Sequence, residues 1–288
     1  MRPVILRALT VSVQEENSTV RVQHEEDASH RMLVQYPCLR FTSRIASFSP
    51  MAHGALSGRT VLVTGIGREG QVGEAVAAAL ADAGAAIAAV DLLSDAVEAR
   101  VATLRGRGAR ADGFACDLTN ESAVQTLAET IASRYDKRLD AVVHLAGGFA
   151  MASVADSAPA VWQKQLALNL TTAALTARAF LPLVRAARGA FVFFGSAAAL
   201  PGASVANMAA YATAKSGVLT LMRALADEER PNGVRANALA PTSIRTAANE
   251  KSMGSDARYV EREDVARVVV WLCSNASMPL TGQVIALG

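Results

Sequence analysis

The chain is poor in residues that bind metals or close disulfides. It has four histidines and three cysteines, and Cys38, Cys116 and Cys273 lie far apart. That spacing fits neither a zinc-ligand set nor a disulfide framework, so a metal-centred or disulfide-stapled design is set aside. Cys116 and Cys273 stand in apolar surroundings and read as inert core thiols, which points to a reducing, cytoplasmic setting. Charge of one sign is lacking too: the formal net charge is +2. A balance so close to neutral gives no reason to expect a nucleic-acid or membrane partner. No apolar run is judged long enough to span a bilayer.

The first fifty residues also lack things. They have no sustained hydrophobic period and no apolar stretch of the secretory type. Their acids (Glu15, Glu16, Glu25, Glu26 and Asp27) disfavour an organelle transit peptide. Residues 1–55 are therefore expected to form a disordered extension, or to lie upstream of a native start at Met51. The intact mass of protein from the native host separates the two, and a mature chain beginning at Met1 rules out the second.

Residues 56–288 are rich in what the extension lacks. With 51% of the whole chain hydrophobic, they suffice for one α/β domain with a large core. Thr60–Thr64 reads as a buried strand running into Gly65-Ile66-Gly67-Arg68-Glu69-Gly70-Gln71-Val72-Gly73. An alanine-rich helix, 74–83, stops at Gly84, and a second strand, 85–90, delivers Asp91. Strand, glycine turn, helix, strand and acid make up a dinucleotide-binding unit. Its glycines let the backbone approach a pyrophosphate, and the helix N-terminus offers free N–H groups. Asp91 can accept hydrogen bonds from ribose hydroxyls and would repel a 2′-phosphate, which favours NAD(H). Arg68 in the turn pulls the other way and leaves NADP(H) open.

Further strands are expected at 113–117, 139–145, 190–194, 234–239 and 283–287. Helices are expected at 123–134, 161–183, 211–226 and 263–274. The alternation predicts a single Rossmann-type, doubly wound parallel sheet with helices on both faces. Ligands in such sheets bind beyond the carboxyl ends of the strands, where Gly65, Asp91, Asp117, Gly147, Ser196 and Pro241 all fall.

Tyr211-Ala-Thr-Ala-Lys215 sets a phenol and an ammonium on one face of a helical turn. A free tyrosine titrates near pH ~10. A nearby cation favours the phenolate and is expected to pull that value toward the working range of a general acid/base.

Taken together, Thr64-Gly65, Asp91, Asp117-Leu118, Leu145-Ala146-Gly147, Asn169, Ser196, Tyr211/Lys215 and Asn237-Ala-Leu-Ala-Pro241 resemble the short-chain dehydrogenase/reductase family. The likeness runs over essentially all of residues 57–288. It implies hydride transfer between a nicotinamide cofactor and a carbonyl or alcohol carbon of a small molecule. In that pattern Tyr211 passes the proton, and Lys215 lowers its pKa and holds the nicotinamide ribose. Ser196 bonds the substrate oxygen, and Asn169 orders a water linking Lys215 to solvent. Cofactor contacts are expected from Gly65, Gly67, Arg68, Gly70, Val72, Gly73, Asp91, Asp117, Leu118, Ala146, Gly147, Tyr211, Lys215, Pro241 and Ile244. The resemblance also implies a homodimer or homotetramer, formed through the helices bearing Asn169 and Tyr211. Small or apolar residues at 173–179 and 219–226 are taken as its outer contacts.

Several departures bear on function. Gly65 and Gly73 are eight apart, two more than is usual, and Gln71 replaces the middle glycine. The longer turn is similar to the enoyl-carrier-protein reductase branch. That branch has its lysine seven residues after the tyrosine, where Val218 stands here, so carbonyl chemistry is preferred over reduction of a carbon–carbon double bond. Leu145 replaces an asparagine, so one backbone brace is missing. Ser196 lies fifteen residues before Tyr211, so the intervening loop must bulge; Ser204, nearer in sequence, is the alternative to Ser196 as donor. The segment after Pro241 is short, leaving little to close over a bulky ligand. With Ala146-Gly147-Gly148-Phe149 and the run Thr246–Met253, it is similar to the quinoid dihydropteridine reductase-like subgroup. Thr246 and Asn249 read as residues of a solvated loop. A pterin-type reductase and a non-catalytic dinucleotide-binding regulator stand as alternatives.

Overall fold

The structure, a computed structural model, describes residues 38–41 and 54–288. Most of the expectation for residues 1–55 therefore lies outside the described residues. Within that span Cys38–Phe41 forms a strand, β1, parallel to the last strand of the sheet. For those four residues the expectation of an unstructured extension is corrected.

The other strands are β2 (Thr60–Thr64), β3 (Ala86–Asp91), β4 (Ala111–Ala115), β5 (Ala141–His144), β6 (Ala190–Phe194), β7 (Arg235–Pro241) and β8 (Val284–Leu287). All pair in parallel in the order β1-β8-β7-β6-β5-β2-β3-β4. The helices are α1 (Val72–Asp82), α2 (Ser94–Gly106), α3 (Glu121–Arg134), α4 (Pro159–Leu166), α5 (Thr172–Ala187), α6 (Ala209–Glu229), α7 (Ala247–Met253) and α8 (Arg262–Cys273). The expected elements are all present, and α2 and α7 are additional to them. From β2 the chain steps outward to β3 and β4, then returns to the other side of β2 with β5. The crevice of the sheet therefore lies at the carboxyl ends of β2 and β5, the switch point where such sheets bind ligands.

Side chains on a strand alternate between the two faces. Val61 and Val63 of β2, with Val192 and Phe194 of β6, enter the core under α1, α2 and α8. Leu62, Phe191 and Phe193 enter the opposite core under α3, α5 and α6. Both faces are thus covered, which is why these strands read as unbroken apolar runs. Phe180, Phe191 and Phe193 are fully buried, each stabilising the fold by about 1.5–3 kcal/mol.

The expected helix at 161–183 extends over 159–187 as α4, a π-turn (Ala167–Thr171) and α5. By length and composition this is the one described helix that could cross a membrane, a test that a buried core helix passes equally. Its inward side chains Ala173, Ala177, Phe180 and Val184 belong to the core of the sheet. That packing explains an apolar stretch of this length without a bilayer.

Candidate functional site

The glycine turn leaves β2 at Gly65, whose φ of +75° is a left-handed conformation. A Cβ there would lie 2.8 Å from the Ala146 nitrogen, so the ends of β2 and β5 touch. At Gly73, in the first turn of α1, a Cβ would sit 2.1 Å from the Gly65 carbonyl oxygen. Only glycine lets the helix start so close to the strand. No side chain caps the N-terminus of α1 at Gln71, so its first N–H groups face outward, as a pyrophosphate requires.

The long turn is closed by a residue that the sequence reading passed over. Glu74 Oε2 accepts the Gly70 N–H at 2.6 Å, while its other oxygen pairs with Arg100 of α2. Arg262 of α8 approaches the same carboxylate at 4.0 Å. Arg68 is exposed on the outside of the turn, and Gly67 and Gly73 are buried. Asp91, half-buried at the tip of β3, accepts the Gly67 N–H at 2.8 Å and the Leu92 N–H at 2.7 Å. The carboxylate therefore stands against the turn. Beyond β4, Asp117 accepts the Thr119 hydroxyl at 2.6 Å and the Thr119 N–H at 2.9 Å. These bonds hold its carboxyl below the usual carboxylate range, and Leu118 beside it anchors the loop in the core. The cradle fits a dinucleotide: an uncapped helix start, a backbone too close for side chains, and an acid at the second strand tip.

The reacting groups converge from β5, β6 and α6. Tyr211 lies in the first turn of α6 and Lys215 one turn on. Lys215 is buried, and its Nζ donates to the Phe194 carbonyl at 2.8 Å, 5.9 Å from the centroid of the Tyr211 ring. Burial lowers its pKa to about 8. Burial also raises the pKa of the Tyr211 phenol, with the hydrogen-bonded Ser196 hydroxyl pulling it back down. The expectation that the lysine dominates this phenol is corrected: desolvation is the larger effect, and the ammonium is turned toward a carbonyl. Ser196, not the exposed Ser204, is the group bonded to Tyr211. The longer loop between them is taken up by a 3₁₀ turn, Ala197–Ala199, capped by Ser196, and by left-handed residues at Gly202 and Asn207.

Asn169 occupies the π-turn, a local widening that is frequent at functional sites. Its amide donates to the Gly148 carbonyl at 2.9 Å and to the Gln165 carbonyl at 3.1 Å, and its oxygen accepts the Gly148 N–H at 3.2 Å. A Cβ on Gly147 would lie 2.6 Å from that oxygen and 3.5 Å from Lys215 Nζ. Gly147, Asn169 and Lys215 thus meet at one point.

His144 was not foreseen. The ring is buried between Thr64 Oγ1, 3.1 Å from Nδ1, and Thr172 Oγ1, 3.2 Å from Nε2. Thr172 donates to the Leu168 carbonyl and Thr64 accepts the Ala146 N–H. These bonds assign the proton to Nε2, since Thr172 then accepts from the ring and Thr64 donates to it. Burial, helped by the charge on Lys215, lowers the pKa of His144 to about 3. This chain from the glycine strand to the π-turn supplies the brace that Leu145 cannot.

Beyond Pro241, Ile244 bridges to Val260. The segment is not a solvated loop: Thr246 is buried and caps α7, and Asn249 donates to the Ile244 carbonyl at 2.8 Å. Arg245 pairs with Glu250 and Glu261 and lies 4.7 Å over the Tyr259 ring, clasping α7 in place. A separate cleft at the amino ends of β2, β3 and β4 is lined by Arg105, Asp112, Arg134, Tyr135, Arg138 and Asp140. Its three named arginines pair with Asp112 or Asp140, and it lies at the wrong end of the sheet for a dinucleotide.

A family model described as enoyl-(acyl carrier protein) reductase matches residues 65–287. D-threitol dehydrogenase of Mycolicibacterium smegmatis is 33% identical over 239 residues, covering 79% of this chain and 90% of that protein. 2-(S)-hydroxypropyl-CoM dehydrogenase 3 of Xanthobacter autotrophicus is 32% identical over 249 residues, covering 81% and 96%. Among solved structures, one described as an NAD(P)-dependent gluconate 5-dehydrogenase from Beutenbergia cavernae, with NADP bound at low occupancy, superposes with a TM-score of 0.74. It is 32% identical and covers 81% of this chain and 96% of that one.

Proposed function

The chain belongs to the short-chain dehydrogenase/reductase family, and from that premise we propose that it interconverts a secondary alcohol and its carbonyl compound with NAD(H), using Tyr211 as general acid/base. The observation that carries this reading is the Tyr211 phenol, bonded to Ser196 with the buried Lys215 one helical turn on. Gly65, Gly67, Gly70, Val72, Gly73, Asp91, Ala146, Gly147 and Ile244 would hold the dinucleotide, whose nicotinamide accepts or supplies the hydride. Tyr211 Oη takes the hydroxyl proton as the alcohol is oxidised and returns it in reduction. Ser196 donates to the same substrate oxygen, stabilising its developing charge. Because burial keeps the phenol protonated at neutral pH, Tyr211 is set to act as an acid in carbonyl reduction. The NAD(H) preference rests on Asp91.

A homodimer or homotetramer remains part of the reading, with its contacts revised. Ala173, Ala177, Leu219 and Ala226 are buried inside the subunit, so the half-buried Ala174, Leu175, Gly217 and Leu221 and the exposed Thr220 are the residues left for close packing. A monomer in light scattering at micromolar concentration would remove that part. The catalytic reading is tested by NADH binding together with turnover of a panel of ketones, alcohols and quinonoid pterins. Binding without turnover of any of them would leave a dinucleotide-binding regulator, and turnover of the pterins alone would leave the pterin-type reductase.

A further inference from the structure

The walls beside Tyr211 carry no charge. Residues 146–155 and 195–214 contain no Asp, Glu, Lys or Arg, although each lies in or near a loop at the carboxyl end of the sheet. The two segments are joined by the bridge between Ala152 and Met208 and by the Ala152 N–H, which donates to the Asn207 carbonyl at 2.9 Å. Large apolar side chains stand open to solvent on them: Phe149 at 60%, Met151 at 60%, Val154 at 73% and Val205 at 41%. Phe149 packs edge-on against Tyr211, with ring centroids 4.9 Å apart and planes at 87°. Asp156, which ends the first segment, is held by the Ser153 hydroxyl. Arg245, on the neighbouring loop after β7, is engaged by Glu250, Glu261 and Tyr259.

Resting on the alcohol/carbonyl reading above, we propose that the substrate is a neutral secondary alcohol or ketone with an aromatic or alicyclic body, and that Phe149 is a specificity-determining residue that receives this body. An anionic substrate would lose water here and meet no cation on these two segments. A polyol would find few hydrogen-bond partners on alanine, leucine, methionine and valine. A ring has an aromatic face to pack on and apolar area to cover.

Three probe substrates test this: 1-phenylethanol, a linear tetritol and 3-hydroxybutyrate, each with NAD+. The expected order puts kcat/KM for 1-phenylethanol at least about tenfold above the other two, the size of discrimination an apolar pocket provides. Phe149→Ala should lower kcat/KM for 1-phenylethanol about tenfold, mainly through KM, and far less for 2-propanol, which has no ring. Phe149→Leu should recover part of the loss. A readout independent of turnover is peroxide oxidation of Met151, followed by peptide mass spectrometry; acetophenone should slow it and 3-hydroxybutyrate should not.

Faster turnover of the tetritol or of 3-hydroxybutyrate overturns the substrate class while leaving the alcohol/carbonyl reading intact. No turnover of any probe, with acetophenone still protecting Met151, overturns that reading but keeps an apolar ligand. No turnover and no protection overturns both. A Phe149→Ala protein with unchanged kcat/KM and an altered mass in light scattering would assign the patch to a subunit contact, and the proposal would fail.

Discussion

Replacing Lys215 with methionine should make this protein more stable at neutral pH. Lys215 is buried, its Nζ donates to the Phe194 carbonyl, and its pKa falls from 10.5 to about 8. The unfolded chain holds that proton more tightly than the folded one, so between pH 8 and 10.5 the unfolded state binds more protons and stability rises with pH. Below pH 8 both states are charged and the whole difference, about 3 kcal/mol, opposes folding. Methionine keeps nearly the same volume and removes this opposition. It also leaves the Phe194 carbonyl without its donor, at a cost of about 1 kcal/mol. The net gain is about 2 kcal/mol at pH 7. By pH 10 most of the ammonium's burden has already been relieved, so the two effects nearly cancel and the gain approaches zero. Urea unfolding of both proteins at pH 7 and pH 10 measures this through the midpoint at unchanged slope. Under the role that the family resemblance implies for Lys215, the same variant should also lose turnover and dinucleotide affinity. A Lys215→Met protein less stable than the wild type at pH 7 would show that the buried ammonium is a net support of the fold and refute the reasoning.

Tyr211→Phe keeps the ring and its packing on Phe149, so NADH affinity should be nearly unchanged while turnover falls roughly 10² or more; retention of more than about a tenth of wild-type kcat rules this residue out as the acid. Asp91→Ala should shift the kcat/KM ratio toward NADPH by roughly ten- to a hundredfold, from about 1–3 kcal/mol of repulsion removed, and a wild-type protein preferring NADPH would show that Arg68 prevails. For His144, with a folded pKa of about 3 against 6.5 unfolded, stability is fully present above pH 6.5 and is lost as pH falls toward 3. His144→Asn should flatten that limb of an acid unfolding series, and an identical limb in both proteins would assign the acid sensitivity elsewhere.

Much of the fold was legible because both faces of the sheet are covered. Strands such as Ala190–Phe194 are apolar throughout, and a short apolar run bounded by glycine has few other uses. The Tyr211/Lys215 spacing is a property of the helix itself, so its convergence with Ser196 followed once the strand ends were placed. Other features were not legible. Helix α2 carries its core contacts on Val97, Val101 and Leu104 among charged residues, a weaker pattern than the alanine-rich α1. Helix α7 depends on Arg245, whose partners Glu250 and Glu261 are recognised only once the chain has folded back. The role of Glu74 depends on Arg100 twenty-six residues away, and a carboxylate in a first helical turn has an ordinary reading as a favourable partner of the helix dipole.

The lowered tyrosine pKa was the expectation that failed most informatively. Spacing on a helix sets how near two side chains can come, but not where a flexible ammonium points. Here it points to the Phe194 carbonyl, and its charge is felt by His144. Burial disfavours the charged form of each group, so it raises the pKa of the phenol and lowers those of the lysine and the imidazole. As pH rises, Lys215 therefore gives up its proton before Tyr211 does. The group that draws the phenol downward is Ser196, whose hydroxyl can bond either the phenol or a substrate oxygen. In the proposed reaction, turning to a substrate oxygen would cost the phenol that stabilisation of its ionised form, so it would hold its proton more firmly until the oxygen develops negative charge. The chain's own residues thus favour a neutral Tyr211 until transfer, the state in which a general acid is useful.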